Sequence, residues 1–179
     1  MNYLIRQFLM TLLFILFIDL LALHVTTTSP STMTKQLETH LNHSVEVITQ
    51  IHVEENEFIL YHDSVTNQLD VVHYEPNKLL FWRYQLANLY VTPKNAIVNH
   101  CQTYQTPDFF LLWGKNEELQ AKTLEIKFNN ETYIHDLSQN DYFIYIYPWK
   151  NQIPKTIYCT FYDQEGKNIS LKFFESYIQ

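Results

Sequence analysis

Apolar residues are concentrated most densely at the start of the chain. The run from Tyr3 to Leu23 carries Arg6 near its beginning, and no further Lys or Arg follows until Lys35. At about 1.5 Å per residue, a helix of this length reaches about 31 Å, close to the ~30 Å hydrocarbon core of a bilayer. The pattern therefore predicts a signal anchor over residues 1–25 that crosses the membrane through residues 3–23.

The charges around this run predict its orientation. Arg6 and the free amino terminus favour a cytoplasmic N-terminus, which places the rest of the chain outside the cytoplasm as a single-pass protein of the cell membrane. The alternative is a cleaved signal peptide and a secreted protein, because the unbroken apolar core from Phe8 to Ile18 has signal-peptide length. His24 and the β-branched residues 25–28 lack the small side chains that a cleavage site requires, so the retained anchor is preferred.

The next part of the chain alternates apolar and polar residues. Residues 26–34 are predicted to form a polar tether, and residues 35–100 a subdomain that begins with a short helix, capped by Ser31 and extending to about Leu41. Period-two alternation then predicts an antiparallel meander. Its strands are Val45–Val53, Glu57–Asp63 and Gln68–Tyr74, followed by one long or two shorter aromatic strands over Leu79–Val91.

The second half predicts a small antiparallel β-sandwich over residues 107–179, joined to the first subdomain by a linker between Thr92 and Pro107. Short strands with few helical windows between them are typical of this architecture. They are Phe109–Trp113, Leu124–Phe128, Thr132–Asp136, Tyr142–Tyr147, Thr156–Asp163 and Asn168–Phe174. Leu137 stands five residues before Tyr142, which resembles the tyrosine corner of immunoglobulin-like and fibronectin-like sandwiches. The fold class is therefore predicted to be mainly β.

Composition narrows the choice of function. The chain contains two glycines, Gly114 and Gly166, so no glycine-rich phosphate loop, dinucleotide fingerprint or nucleophile elbow can be drawn. A formal net charge of −7 with 12 Lys and Arg residues leaves no basic stripe for phosphates. We therefore expect no nucleotide, no nucleic-acid partner and no cofactor.

The two cysteines leave two interpretations open. An exported chain can be oxidised, and a disulfide between Cys101 and Cys159 would stabilise the fold by roughly 4 kcal/mol on the loop-entropy model. The alternative, which we favour, is a small buried side chain at Cys159 and a loop thiol at Cys101. A nucleophilic Cys101 beside His100 is disfavoured, since adjacent residues of an extended strand point to opposite faces.

The chain holds eight histidines, which raises the question of a metal site. If Val53 pairs with Glu57 across the first hairpin and Asp63 pairs with Gln68 across the second, then His52 and His73 fall in one row, on either side of Phe58 in the middle strand. Strands lie about 4.8 Å apart, so these two rings are separated by roughly 10 Å. One zinc ion, bonded at about 2 Å to each ligand, cannot join them, and we expect no metal site.

Aromatic residues supply the candidate binding surface. Trp, Tyr and Arg carry much of the binding energy in protein interfaces, and they are concentrated in two segments. The candidate residues are Trp82, Arg83, Tyr84, Tyr145, Tyr147 and Trp149. We expect most aromatic rings to pack in the core, and the exposed remainder to form a partner surface along an unpaired sheet edge.

Several turn-and-strand motifs carry a resemblance. After the single N-terminal span come Glu57-Phe58-Ile59-Leu60-Tyr61, then Leu111-Leu112-Trp113-Gly114-Lys115 with Leu124-Glu125-Ile126-Lys127, and finally Asp163-Gln164-Glu165-Gly166-Lys167-Asn168-Ile169. Together they resemble small membrane-anchored extracytoplasmic proteins of Bacillus-type bacteria. The resemblance implies location and a two-part β architecture, and it carries no activity and no catalytic residues.

Two classes of function remain after these exclusions. The first is a non-enzymatic, membrane-anchored extracytoplasmic binding or interaction module whose partner is a protein, a peptide or an envelope component. The second is an envelope-facing hydrolase or metal-dependent enzyme whose site is built from dispersed His and carboxylate residues. A cleft in which two or more of His52, His62, His73 and His100 touch would favour the enzyme.

Overall fold

The computed structural model of the chain describes residues 2–22, 26–27, 29–80, 82–92, 101–149 and 153–174. The helices are α1 (Asn2–Ala22), α2 (Pro30–Leu41) and α3 (Leu171–Phe174), with a 3-10 turn at Glu117–Leu119. The strands are β1 (Thr26–Thr27), β2 (Glu46–Val53), β3 (Asn56–Asp63), β4 (Gln68–Pro76), β5 (Tyr84–Tyr90), β6 (Cys101–Gln105), β7 (Phe109–Lys115), β8 (Thr123–Phe128), β9 (Glu131–Asp136), β10 (Tyr142–Pro148) and β11 (Tyr158–Tyr162). The described strands pair antiparallel throughout, which confirms the predicted mainly β class.

The N-terminal helix α1 covers nearly the same residues as the predicted apolar span. Within the part of the chain that the structure describes, no helix has the length and apolar character needed to cross a membrane. The predicted transmembrane helix is therefore not confirmed.

The described residues of the predicted tether, 26–27 and 29–34, are folded. β1 pairs with β5, with Thr26 opposite Gln85, and α2 already begins at Pro30. The helix is capped two residues earlier than predicted, at Ser29 in place of Ser31. The Ser29 backbone N–H donates to Thr32 Oγ1 at 3.0 Å. Proline suits the first helical position because its missing N–H is not needed there.

The predicted meander is present as a five-stranded sheet in the order β1-β5-β4-β3-β2. α2 covers one face of this sheet, because Met33 and Leu37 lie four residues apart on one side of the helix and are both buried. Both helix residues pack on four buried side chains of the sheet: Ile59, Tyr61, Val72 and Tyr74. The Tyr74 hydroxyl donates to the Met33 carbonyl at 2.8 Å, which satisfies the one polar atom of that ring.

The C-terminal half forms two three-stranded sheets, in the orders β10-β7-β6 and β11-β8-β9. β7 is buried on both faces and joins two cores. Phe109, Leu111 and Trp113 pack on the other face of the five-stranded sheet, whereas Phe110 and Leu112 pack on the third sheet. The described body is therefore a stack of α2 and three sheets, in which successive β7 side chains point to opposite layers.

Two predictions for the second half are wrong in detail. β6 lies within the segment predicted as a linker. The predicted last strand is reduced to a single β-bridge between Asn168 and Tyr162, after which the chain forms a turn and the short α3. The Asn168 side-chain oxygen accepts the Ser170 N–H at 2.9 Å, which forms an Asx-turn directly before this helical turn. As a result Leu171 is 71% exposed, whereas Ile169 and Phe173 are buried.

Candidate functional site

A groove lies where the edges of two sheets meet. β2 is the last strand of the five-stranded sheet and β10 is the last strand of its neighbour, and the two strands approach each other. Between them is a cavity of about 500 Å³. Its lining consists of Ile48, Thr49, Ile51, Gln139, Asn140, Asp141, Tyr142, Phe143, Ile144 and Tyr145. We call this cavity the β2/β10 groove.

A β-bulge shapes the β2 wall of the groove. The pairing of β2 with β3 shifts register between Val47 and Thr49, which leaves Ile48 as the extra residue. A bulge places two residues where a regular strand has one, so Ile48 and Thr49 both line the groove. Ile48 and Ile51 also pack on the core between the first two sheets, which gives this wall an apolar floor.

The β10 wall presents alternating residues to two layers. Tyr142 and Ile144 face the core shared with the five-stranded sheet, whereas Tyr145 packs on the core of the sandwich. The His135 ring stacks on Tyr145 with a centroid separation of 3.8 Å, and burial raises the pKa of the Tyr145 phenol. The Tyr142 ring lies 5.9 Å from the Lys115 ammonium, so one cation stands beside this wall.

The loop at the end of the groove is held by a buried amide. The Asn116 side chain is fully buried, and its Nδ2 donates to the Ala121 carbonyl at 2.9 Å and to the Leu137 carbonyl at 3.1 Å. The backbone N–H of Asn116 donates to the Asp141 carbonyl at 2.7 Å. These bonds fix the loop that carries Asp141, so the end of the groove has a defined position.

Apolar and uncharged polar side chains make up most of the groove lining. Isoleucine side chains from both walls form its floor, and Thr49, Gln139 and Asn140 offer hydrogen-bonding groups at its surface. Asp141 is the one carboxylate in the lining, which includes no His, Cys, Ser or Lys.

Three of the predicted binding residues lie at the opposite edge of the five-stranded sheet from β2. Trp82 is 51% exposed, whereas Arg83 is 5% exposed. Arg83 Nη1 donates to Thr26 Oγ1 at 3.3 Å, which ties β1 to the start of β5. Tyr84 pairs with Thr27 and packs on the core under α2. In this arrangement Arg83 acts as a structural link.

The other three predicted residues lie together in the sandwich. Tyr145, Tyr147 and Trp149 are half-buried and pack on the core between the second and third sheets. The Trp149 indole N–H donates to the Thr106 carbonyl at 2.9 Å, and the Tyr147 hydroxyl bonds the His135 ring. Of the six predicted residues, Tyr145 alone lines the β2/β10 groove.

The described histidines have separate partners. His52 Nδ1 lies 2.7 Å from Glu57 Oε1, and His62 Nε2 lies 3.2 Å from Asn67 Oδ1. His73 is buried, stacks on Phe58 and has a pKa that burial lowers. His100 lies outside the described residues. Among the residues with a described position, no three His, Cys, Asp or Glu side chains are grouped to hold a metal ion.

The comparisons with known proteins leave the function to be argued from geometry. No protein-family model matches the sequence, and comparisons with the curated proteins and with the solved structures find no significant similarity. Apart from Tyr145, the residues that line the groove could not be predicted from the sequence, because the approach of β2 to β10 depends on how two sheets stack. The one signal available was position, since β2 opens the meander and an opening strand is often a sheet edge.

Proposed function

We propose that this protein is a non-enzymatic binding module, held at the extracytoplasmic face of a cell membrane by α1, which binds an extended segment of a protein or peptide partner in the β2/β10 groove. The observation that carries the proposal is the meeting of two edge strands beside one groove. The expected partners are envelope proteins that lie within reach of the anchored domain.

The backbone of the groove supports a strand-like partner. Among the described residues, β2 pairs with β3 alone and β10 pairs with β7 alone. Each strand therefore has a second side whose N–H and C=O groups are unused by a neighbouring strand, and such edges bind extended peptides by main-chain hydrogen bonds. With eight residues, β2 offers an edge of about 27 Å at ~3.4 Å per residue.

The side chains of the groove support a preference for alternating peptides. An added strand directs every second side chain to the same face. On one face these side chains would meet the apolar floor at Ile48, Ile51 and Ile144. On the other face they would meet solvent and Asp141, which favours polar or basic residues there. The expected partner segment thus alternates apolar residues with polar or basic ones.

The surface of α1 supports the membrane part of the proposal. Each residue from Leu12 to Ile18 is exposed, and the exposed fractions run from 37% at Ile18 to 64% at Phe14. Consecutive helical residues point about 100° apart, so these side chains surround the whole helix. A helix that is apolar on every side is stable when lipid or protein covers it, and we assign lipid to this role.

The experiment is a peptide-binding measurement on the full chain in detergent micelles. A synthetic library of eight-residue peptides, with apolar and polar positions alternating, is screened by fluorescence anisotropy. Bound peptides are then mapped by hydrogen exchange. The proposal predicts slower exchange on binding at backbone amides of β2 and β10, since an added strand bonds those groups.

Two matched variants test whether the peptide binds in the groove. Thr49→Lys places a charge in the groove and is expected to weaken binding by about tenfold or more, or ~1.4 kcal/mol. Thr132→Lys makes the same change on the exposed edge strand β9 and is expected to leave binding unchanged. Equal effects of the two variants, or exchange protection elsewhere than β2 and β10, would show that the groove is not the binding site.

A further inference from the structure

The two cysteines occupy the edges of facing sheets. Cys101 opens β6, the edge of the sheet β10-β7-β6, and Cys159 lies in β11, the edge of the sheet β11-β8-β9. Both are free thiols in the structure. Cys101 is 2% exposed, and Cys159 is half-buried against the same core cluster.

Ring contacts define which edges of the two sheets face each other. The His135 and Tyr145 centroids are 3.8 Å apart, and those of Tyr133 and Tyr147 are 4.7 Å apart, so β9 lies over β10. Because each sheet has three strands, the opposite edges, β6 and β11, then also lie over each other. A hydrogen bond of 3.1 Å from Gln105 Nε2 to the Pro154 carbonyl joins β6 to the segment before β11.

Strand register directs both thiols between the sheets. Cys159 is directly opposite Ile126, which is fully buried in the inter-sheet core. Directly opposite residues of antiparallel strands share a face, so Cys159 points inward. Cys101 is directly opposite Gly114, two residues from the inward-facing Leu112. Both side chains thus point into one layer, from facing edges.

We infer that Cys101 and Cys159 are a disulfide-forming pair that links the two sheets of the sandwich. The inference is independent of the groove and of α1. A bridge between facing sheets is an arrangement that β-sandwiches accommodate. It would close a large loop that contains β7 to β10 and so hold both three-stranded sheets together.

The oxidation balances with a small disulfide as oxidant, such as oxidised glutathione. The Cys159 thiolate, the more accessible of the two, attacks one glutathione sulfur, forms a mixed disulfide and releases one glutathione thiolate. The Cys101 thiolate then attacks the Cys159 sulfur and releases the second. The two cysteine sulfurs lose two electrons in total, the oxidant gains them, and the two thiol protons pass to solvent.

The burial of both thiols limits the rate at which they are oxidised. Burial raises the pKa of Cys159 to about 12, and burial, with the nearby Cys159 thiol, raises the pKa of Cys101 well above its usual value. The thiolate is the reactive form. Below the thiol pKa, the thiolate fraction rises about tenfold for each pH unit, so oxidation of the folded protein is expected to be slow at neutral pH and faster in alkali.

The test begins with the full chain, reduced and unfolded in urea with detergent. The protein is refolded in a mixture of reduced and oxidised glutathione and held until its thiol content is constant, which removes the slow access to buried sulfur. Free thiols are then titrated in denaturant, and tryptic peptides are identified by mass. We expect the count to fall from the two of the reduced chain to none, with the Cys101 and Cys159 peptides joined.

A shifted cysteine provides the matched control. The double variant Cys159→Ser, Thr160→Cys moves the thiol by one residue, to the opposite face of β11. It is expected to end with free or glutathione-bound thiols and no internal bridge. If the wild type ends with two thiols, with glutathione adducts or with disulfides between chains, or if the shifted variant bridges equally well, the inference is wrong.

Discussion

A buried carboxyl group on β4 gives the sharpest prediction about stability. Asp70 is 3% exposed, and its Oδ1 accepts the Thr92 backbone N–H at 2.7 Å. Burial raises its pKa from 3.8 to about 6, and the nearby charge of Asp63 adds to the rise. The substitution Asp70→Asn keeps the size and the acceptor oxygen and removes the titration, so we expect it to stabilise the fold above pH 6.

The sign follows from the two protonation states. Below about pH 3.8 the group is protonated whether the chain is folded or unfolded, so the difference in pKa has no effect on stability there. As the pH rises to about 6, the unfolded chain releases this proton while the folded chain keeps it, so the unfolded state is increasingly favoured. Each pH unit between the two pKa values lowers the free energy of unfolding of the wild type by about 1.4 kcal/mol, which gives about 3 kcal/mol in total. The variant Asp70→Asn does not undergo this loss.

The assay is urea unfolding of the full chain in detergent micelles, followed by tryptophan fluorescence from about pH 3.5 to pH 7.5. Trp113 is a suitable reporter, because it is buried and its indole N–H donates to the Leu69 carbonyl at 2.9 Å, next to Asp70. Asp63 titrates in both proteins, so its contribution largely cancels in the difference. The two free energies of unfolding should nearly coincide at the acid end and differ by about 3 kcal/mol at the neutral end.

A second variant checks that burial causes the effect. Glu165→Gln removes a carboxylate from an exposed turn, and its pH profile should follow that of the wild type. If Asp70→Asn and the wild type keep a constant difference across the pH range, then Asp70 does not retain its proton in the fold. A variant that is less stable than the wild type at pH 7.5 would refute the reasoning equally.

Two further predictions concern the groove and the membrane. Asn116→Ala leaves buried carbonyls without their amide donor, so we expect a loss of about 3 kcal/mol in urea unfolding, and weaker peptide binding as the loop at Asp141 loosens. Replacing the exposed Leu13 and Phe17 of α1 by lysine should release the full chain from membranes in alkaline carbonate, whereas lysine at the exposed Leu171 should leave it bound. Release of the wild type under the same conditions would contradict the membrane proposal.

The sequence identified strands well where alternation was strong. In the meander, the predicted pairing of Asp63 with Gln68 is confirmed, because the hydrophobic pattern on both sides of the turn allows one register. Prediction failed where a local side-chain bond decided the outcome. At Asn168 and Ser170, an Asx-turn hydrogen bond leads into a helical turn in a segment whose apolar residues also fit a strand.

A single turn explains the error in the histidine row. Val53 pairs with Asn56, so the loop has two residues, and Glu54 adopts a left-handed φ of 56°. Asn-Gly or Asp-Gly usually marks such a turn, and Glu-Glu gives no such signal. Because the pairing is shifted by one residue from the predicted one, His52 lies on the other face of the sheet, where it contacts Glu57. The predicted pairing of Phe58 with His73, in the second hairpin, is confirmed.

The groove depends on contacts that no local pattern encodes. Its β2 wall is paired with β3, and its β10 wall is paired with β7. Phe58 of β3 meets Phe109 of β7 edge to face at a centroid distance of 5.1 Å, within a core that also includes Ile144 of β10. Both walls are therefore fixed to one buried pair of strands, and the groove is formed before any partner arrives. In the proposed strand addition, the partner segment alone would have to become ordered, which favours affinity in a short peptide.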